Sequence, residues 1–321
     1  MHFYFDFVIF FFLIIIGAYL VELVLQKKIR KQPAAAKALA GRKNKKIGHG
    51  AYFFSFLFFY FLVLSWIIIF YGSIVEPRII SVNEYEVSLS ENAESNLRVA
   101  VISDLHLGPY KKAGWVSQVV ARTNKLQPDM VWLVGDYIFD RAEQAEMLTA
   151  ISQLEAPLGV YAITGNHDYY DQNVEYVVAR LEEQGVKMLR NTSSVIRVGD
   201  NGFVLAGVDD LWYGGNLSQT LQDLDSEDPV VLLAHNPDAV LSEVVLEKAD
   251  LVVSGHTHGG QIRLPWLGAI SDIPDLLGRD YDQGLFDYQG INLLISSGVS
   301  ETGPRARLFN PPEILLLNLW F

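Results

Sequence analysis

Three short segments with no charged side chain in their apolar core, Leu97–Ile102 (one Arg at its start), Met130–Val134 and Gly159–Thr164, alternate with stretches of helical spacing at Trp115–Leu126, Arg141–Leu154 and Asn173–Glu183. This feature constrains the fold most. Strands that are apolar on both faces need cover on both faces, and helices between them make the cover and the crossovers. The chain is therefore expected to be α/β. Further strand-like runs follow at Val195–Val198, Phe203–Val208, Val230–Leu233, Leu251–Val253, Asn292–Ile295 and Ile314–Leu319, with a helix over Ala239–Glu247. That density predicts two sheets packed face to face with helices outside.

The chemically capable residues collect where these runs end, the place where α/β folds build their sites. Asp104-Leu105-His106 follows the first run, Gly135-Asp136 the second and Gly165-Asn166-His167-Asp168 the third. His235 follows Val230–Ala234, and Gly255-His256-Thr257-His258 follows Leu251–Ser254. Five of the seven histidines fall at these ends. One Asp-x-His is a weak signal, but five such elements in order are a strong one. The chain has no cysteine, which excludes disulfides, thiolate metal sites and cysteine nucleophiles. Imidazoles, carboxylates and an amide oxygen suit Mn²⁺, Fe²⁺ or Zn²⁺. Asp104, His106, Asp136, Asn166, His235, His256 and His258 offer more donors than one four-coordinate ion uses, so two divalent ions sharing a carboxylate are expected. Such a pair acidifies a water and neutralises phosphoryl oxygens.

The N-terminal quarter has a different character. Residues 7–25 and 51–71 are two apolar runs of the length that crosses a bilayer, the second without any charge. The loop 26–50 between them carries nine Lys and Arg and no acid. We expect residues 1–75 to be a two-helix transmembrane hairpin, 76–96 a connector with a short strand near Tyr85–Leu89, and 97–321 the catalytic domain. A basic loop stays in the cytoplasm, which would put the domain outside; a reversed hairpin is the alternative. The formal net charge is −12, and the acidic groups lie mostly after residue 75, so no nucleic-acid partner is expected.

The ordered motifs D-x-H, GD, GNH[DE], H and GHxH resemble those of the calcineurin-like metallophosphoesterases, over about Leu97 to the C-terminus. The resemblance implies a four-layer α/β/β/α sandwich. It assigns Asp104, His106 and His258 to one metal and Asn166, His235 and His256 to the other, with Asp136 bridging. His167 matches a histidine that contacts substrate and protonates the leaving group, and Asp168 is expected to orient it. One departure is that the acid after the GD motif, Asp140, lies four residues on rather than three; that acid is not a ligand.

Gly255–Leu267 and Ser296–Leu316 look like the bacterial membrane-associated YkuE/YaeI-type subgroup, which is related to a UDP-2,3-diacylglucosamine pyrophosphatase. From it come Arg263, Arg305 and Arg307 as phosphate-binding candidates, each of which can equally be a salt bridge or a fold-closing contact. The expected protein is a membrane-anchored two-metal enzyme of the bacterial cytoplasmic membrane, cleaving a phosphodiester or pyrophosphate, on a lipid-linked substrate if the anchor is a guide. The alternatives are a cytoplasm-facing lipid A enzyme of the pyrophosphatase kind and a non-catalytic metal-binding membrane scaffold.

Overall fold

In the computed structural model, the described residues are 13–17, 19–20, 49–90, 93–222, 224 and 228–321. The strands are β1 Ser81–Ser88, β2 Asn96–Ile102, β3 Met130–Val134, β4 Val160–Ile163, β5 Lys187–Met188, β6 Thr192–Val198, β7 Asn201–Gly207, β8 Val230–Leu233, β9 Leu251–Ser254, β10 Arg263–Leu264, β11 Gly268–Ala269, β12 Gly284–Tyr288, β13 Ile291–Ile295 and β14 Glu313–Trp320. The α-helices are α1 His49–Phe70, α2 Ala113–Asn124, α3 Val174–Glu183, α4 Leu217–Leu221 and α5 Glu243–Lys248. Residues Ala142–Gln153 and Pro237–Leu241 are wound as 3-10 helix.

Two six-stranded sheets result, in the orders β1-β14-β2-β3-β4-β5 and β12-β13-β9-β8-β7-β6. β2 to β5 run parallel, as do β13, β9, β8 and β7; β14 is antiparallel to β2, and β12 and β6 are antiparallel edge strands. The period of two along each strand sorts side chains into layers. Val99, Val101, Trp132 and Val134 of the first sheet share one buried cluster with Phe203, Leu205, Val231 and Val253 of the second. The alternate residues Ala100, Ile102, Val131 and Leu133 pack on Val116 and Val119 of α2 and Leu181 of α3. On the far side, Val204, Leu232 and Val252 pack on Val240 and Val245. The order is thus helix, sheet, sheet, helix.

Contacts divide the chain into residues 1–75 with 303–305, and residues 76–302 with 306–321. In the first unit, residues 13–17, 19 and 20 are helical; the rest of the first apolar run and the basic loop up to residue 48 lie outside the described residues. Among the described residues one helix, Leu57–Arg78, is long and apolar enough to cross a membrane; the two-helix hairpin is not seen among them. The helical path also runs past the expected end at residue 71, through a π turn at Tyr71–Val75 and a 3-10 turn at Glu76–Arg78.

In the second unit, the residues read as a connector supply β1, which pairs parallel to β14 from Ser81↔Glu313 to Ser88↔Trp320. The strand expected near Tyr85–Leu89 covers only the second half of β1, since Asn83 and Glu84 before it are polar and exposed. The short strands β5, β10 and β11 and the edge strand β12 are additions to the expected set.

Candidate metal centre

The chain turns sharply as it leaves each strand, and the ligand residues are themselves the turns. Asp104, His106, Asp136, His256 and His258 all have positive φ, between 40° and 69°. L-residues avoid this region, and non-glycine residues held there cluster at functional sites. Glycine takes the places where a side chain would collide with them. A Cβ on Gly165 or Gly298 would meet the Asp136 or Asp104 carboxylate, and one on Gly135 would meet the His235 ring and the Gly165 backbone.

Three groups of donor atoms converge, each within 4.8 Å: Asp104, His106 and His258; His106, Asp136 and His167; and Asp136, His235 and His256. Asp104 Oδ1 lies 3.2 Å from His258 Nε2 and 3.6 Å from His106 Nε2. Asp136 Oδ2 lies between the sides, 3.5 Å from His106 Nε2 and 3.2 Å from His235 Nε2. Asn166 Oδ1 joins through His256 Nδ1 at 2.9 Å. All seven expected ligands are therefore brought together, and all are buried.

The outward-facing ring nitrogens fix the tautomers. His235 Nδ1 donates to Val134 O at 2.7 Å, and His256 Nε2 donates to Pro274 O at 3.2 Å. A carbonyl only accepts, so each of those nitrogens carries a proton, and the other, His235 Nε2 or His256 Nδ1, faces the cluster, where a cation can replace any proton it holds. His106 Nε2 faces His258 Nε2 at 3.0 Å. Two imidazole nitrogens at that distance need a proton or a cation between them. Asp104 Oδ1 and His235 Nε2 are buried without a hydrogen-bond partner, a costly state for a polar atom unless something else satisfies it. Oxygen and nitrogen donors in two groups with a shared carboxylate fit a pair of divalent ions.

Charge follows the same logic. Burial pushes the Asp104 and Asp136 carboxyls up, but the neighbouring histidines outweigh it and hold both below the usual carboxylate range. Burial works against a charged His235, and Asp136 overcomes it, raising His235 to about 10. A bound cation would take the place of that proton.

His167 stands over the cluster, its ring 4.4 Å from that of His106. Its Nδ1 donates to Phe139 O at 2.5 Å, its backbone N–H donates to Asp136 Oδ1 at 2.8 Å, and burial lowers its pKa to about 4. Asp168 does not touch the His167 ring. Its carboxylate accepts the backbone N–H groups of Asp136, Tyr137 and Gly165 at 2.9–3.1 Å. It holds the Gly135-Asp136 turn, and the Phe139 carbonyl does the orienting instead. The reason is local: residues 166–169 form a 3-10 turn that directs Asp168 back at its own N-terminus. Burial and Asp136 raise Asp168 to about 7.

The arginines part company. Arg307 is fully buried, and its guanidinium donates to the carbonyls of Ser297, Gly298, Ser300 and Asn310. It ties residues 297–310 together and offers no exposed face to a phosphate. Arg263 donates to Gly259 O at 3.0 Å and pairs with Asp282. Arg305 groups with the first unit.

Several residues beside the centre lie outside the five motifs. Tyr170 packs against His167 with ring centroids 4.2 Å apart and planes tilted by 36°, and accepts from Asn166 Nδ2 at 3.0 Å; its spacing of four from Asn166 is the one hint. Trp212 sets its edge against His256 at 4.9 Å. Arg190 holds Asp209 and the Tyr169 hydroxyl beside this rim, and Tyr169 stacks on Tyr213.

Comparison with known proteins agrees with this geometry. A transmembrane protein with metallophosphoesterase domain from Danio rerio is 31% identical over 63% of this chain and 49% of its own length. The metallophosphoesterase YkuE of Bacillus subtilis is 28% identical over 78% of this chain and 88% of its own. The chain thus spans about half the length of several curated relatives it matches. A solved dimetal phosphatase from Danio rerio is 15% identical, with a TM-score of 0.40 over 69% of this chain and 98% of that one. The profile described as calcineurin-like phosphoesterase matches residues 97–260, which is half of the chain and holds every ligand named above, so the chain belongs to the calcineurin-like phosphoesterase family.

Proposed function

We propose that the protein is a membrane-anchored, two-metal phosphoesterase that hydrolyses a phosphodiester or pyrophosphate bond. The single observation that carries this reading is Asp136 Oδ2, placed between His106 and His235 so that one carboxylate serves both donor groups. Asp104, His106 and His258 would hold one divalent ion, Asn166, His235 and His256 the other, with Asp136 shared. Such a pair supplies Lewis acidity to a water and to the phosphoryl oxygens.

The chain's own residues do the rest. Asp168 fixes the turn that presents Asp136. The Phe139 carbonyl holds the His167 Nδ1 proton, which points Nε2 at the cluster. A substrate phosphate beside Nε2 opposes the effect of burial and favours the imidazolium, which then has a proton to give to the leaving alkoxide. Tyr170 and Trp212, both about half exposed, offer flat apolar walls to whatever the phosphate carries.

Membrane anchoring is supported by the apolar helix Leu57–Arg78 and by the name of the Danio rerio relative. The basic loop 26–50 favours a domain outside the cytoplasm. An anchor beside the site favours a lipid-linked phosphate, since enzyme and substrate then share one surface.

The test is hydrolysis of bis-p-nitrophenyl phosphate by the full chain with Mn²⁺. Turnover that disappears on chelation and in Asp136→Ala is the expected result. No turnover with any divalent ion, or turnover indifferent to Asp136→Ala, overturns the enzyme reading. A reporter fused after residue 321 reads out sidedness.

A further inference from the structure

The exposed apolar side chains of the second unit fall mostly in two places. Tyr170, Trp212 and Tyr213 rim the metal centre. A second group has no such duty. Trp266 is 101% exposed, Leu276 82% and Leu267 74%, with Leu264, Ile270 and Phe309 also exposed. These residues form one neighbourhood: the β10–β11 hairpin, the loop after it, and Phe309, whose neighbour Leu308 accepts from Arg263 N at 2.9 Å.

The hairpin turn holds Trp266 outward by construction. Leu267 N donates to Leu264 O at 3.1 Å, Pro265 takes the second place and Trp266 the third, with φ +68°. That position normally goes to Gly or Asn. Phe309 is held at φ +53°. Each is a bulky residue in a conformation that works against folding, and neither side chain recovers the loss by burial within the chain. A sequence under selection for folding alone has no use for tryptophan there.

The same loop is fastened to the metal centre. Ile270 N donates to Ile262 O and Ser271 Oγ to Gly260 O, both at 3.1 Å. The Pro274 carbonyl takes the proton of His256.

We propose that residues 264–276 with Phe309 are an interfacial patch that inserts into the surface of a lipid bilayer and seats the loop bearing His256 and His258 against it. The proposal rests on the reading that the helix Leu57–Arg78 crosses a membrane. Two observations favour lipid over a protein partner. Only Ile79 and Ile80 separate that helix from β1, and at its end Glu76 is buried and accepts from Asn310 N, so the second unit is always tethered beside a bilayer. Trp and Phe among Leu and Ile are the residue types that settle at the headgroup level. The substrate class this implies for the metal centre is a phosphate ester whose apolar part stays in the bilayer.

The absence of cysteine in the chain makes the test direct. Trp266→Cys and, as a control on an edge strand outside the patch, Val195→Cys are labelled with an environment-sensitive fluorophore. The full chain is then reconstituted into phosphatidylcholine–phosphatidylglycerol vesicles. Leu267→Cys repeats the measurement if the turn does not tolerate the label. The expected result is that quenching by aqueous iodide falls about threefold or more at 266 on reconstitution, with new quenching by brominated acyl chains, while 195 is unchanged. A chain that floats with the vesicles while 266 stays as open to iodide as 195 overturns the patch and leaves the anchor standing. Protection at 266 that needs no lipid and grows with protein concentration also overturns it, and assigns the patch to a second copy of the chain. Failure of the chain to float with vesicles overturns the anchor and the proposal together.

Discussion

The metal centre and the β10–β11 turn break folding rules in opposite directions. At the centre, polar atoms are buried and some are left without partners; at the turn, large apolar side chains are exposed to water. Both hold non-glycine residues at positive φ: Asp104, His106, Asp136, His256 and His258 in one, Trp266 and Phe309 in the other. Backbone strain persists only where surroundings enforce it. The first pattern fits a site built for a cation, and the second fits the proposed contact with an apolar medium. Arg307 joins the two regions, since its carbonyl partners run from Ser297 and Gly298, against Asp104, to Asn310, next to Phe309.

The largest effect that would break this comparison is expected at the shared carboxylate. Asp136→Ala should lower kcat on bis-p-nitrophenyl phosphate by about a thousandfold or more and reduce bound metal by elemental analysis, because both donor groups lose a member. If metal content and rate survive, the buried defect is not a cation site. His167→Ala should cost about a hundredfold to ten-thousandfold in kcat with metal content unchanged, as for a removed proton donor.

Chelation should lower the unfolding temperature measured by calorimetry, since a ligand at a thousand times its Kd stabilises by about 4 kcal/mol. The sign with pH is set by His235. Without metal it stays protonated up to about 10, so the ion must displace a proton throughout the neutral range. Affinity should therefore rise as pH is raised from 6 to 9, by about tenfold per unit for each proton displaced. A flat profile by calorimetric titration would contradict that protonation state.

Arg307→Met should cost about 3 kcal/mol in denaturant unfolding, because several buried carbonyls lose a charged donor. The smallest effect belongs to the turn. Trp266→Gly should leave stability unchanged or raise it by up to about 1 kcal/mol, the strain of a side chain at positive φ being relieved. A clear loss of stability would show that Trp266 serves the fold, not a partner.

The strand ends and their ligands were legible because each motif follows an apolar run, and chemistry of that kind needs fixed residue types. The roles were less legible. Asp168 sits beside His167 in sequence, but the 3-10 turn at Asn166–Tyr169 sends its carboxylate to three backbone N–H groups, and a carbonyl from Phe139 orients the histidine. Arg307 was open between a phosphate binder and a fold-closing contact, and its buried bonds to four carbonyls make it the second. Only the second half of β1 was legible, since Asn83 and Glu84 are polar and exposed and its partner strand lies 232 residues away. The apolar helix Leu57–Arg78 overlaps the run 51–71 read from composition, while the hairpin expectation over residues 7–25 and 26–48 falls largely outside the described residues.

That pairing of β1 with β14 also affects how the protein is made. β14 lies second in its sheet, between β1 and β2, so the first sheet has a gap until residues 313–320 have been made. Closing a loop of that length is slow. Until then β1 and β2 present unpaired edges to their surroundings. A nascent chain of this kind needs protection until β14 is in place, and loss of residues 313–320 would open the middle of a sheet rather than fray a margin.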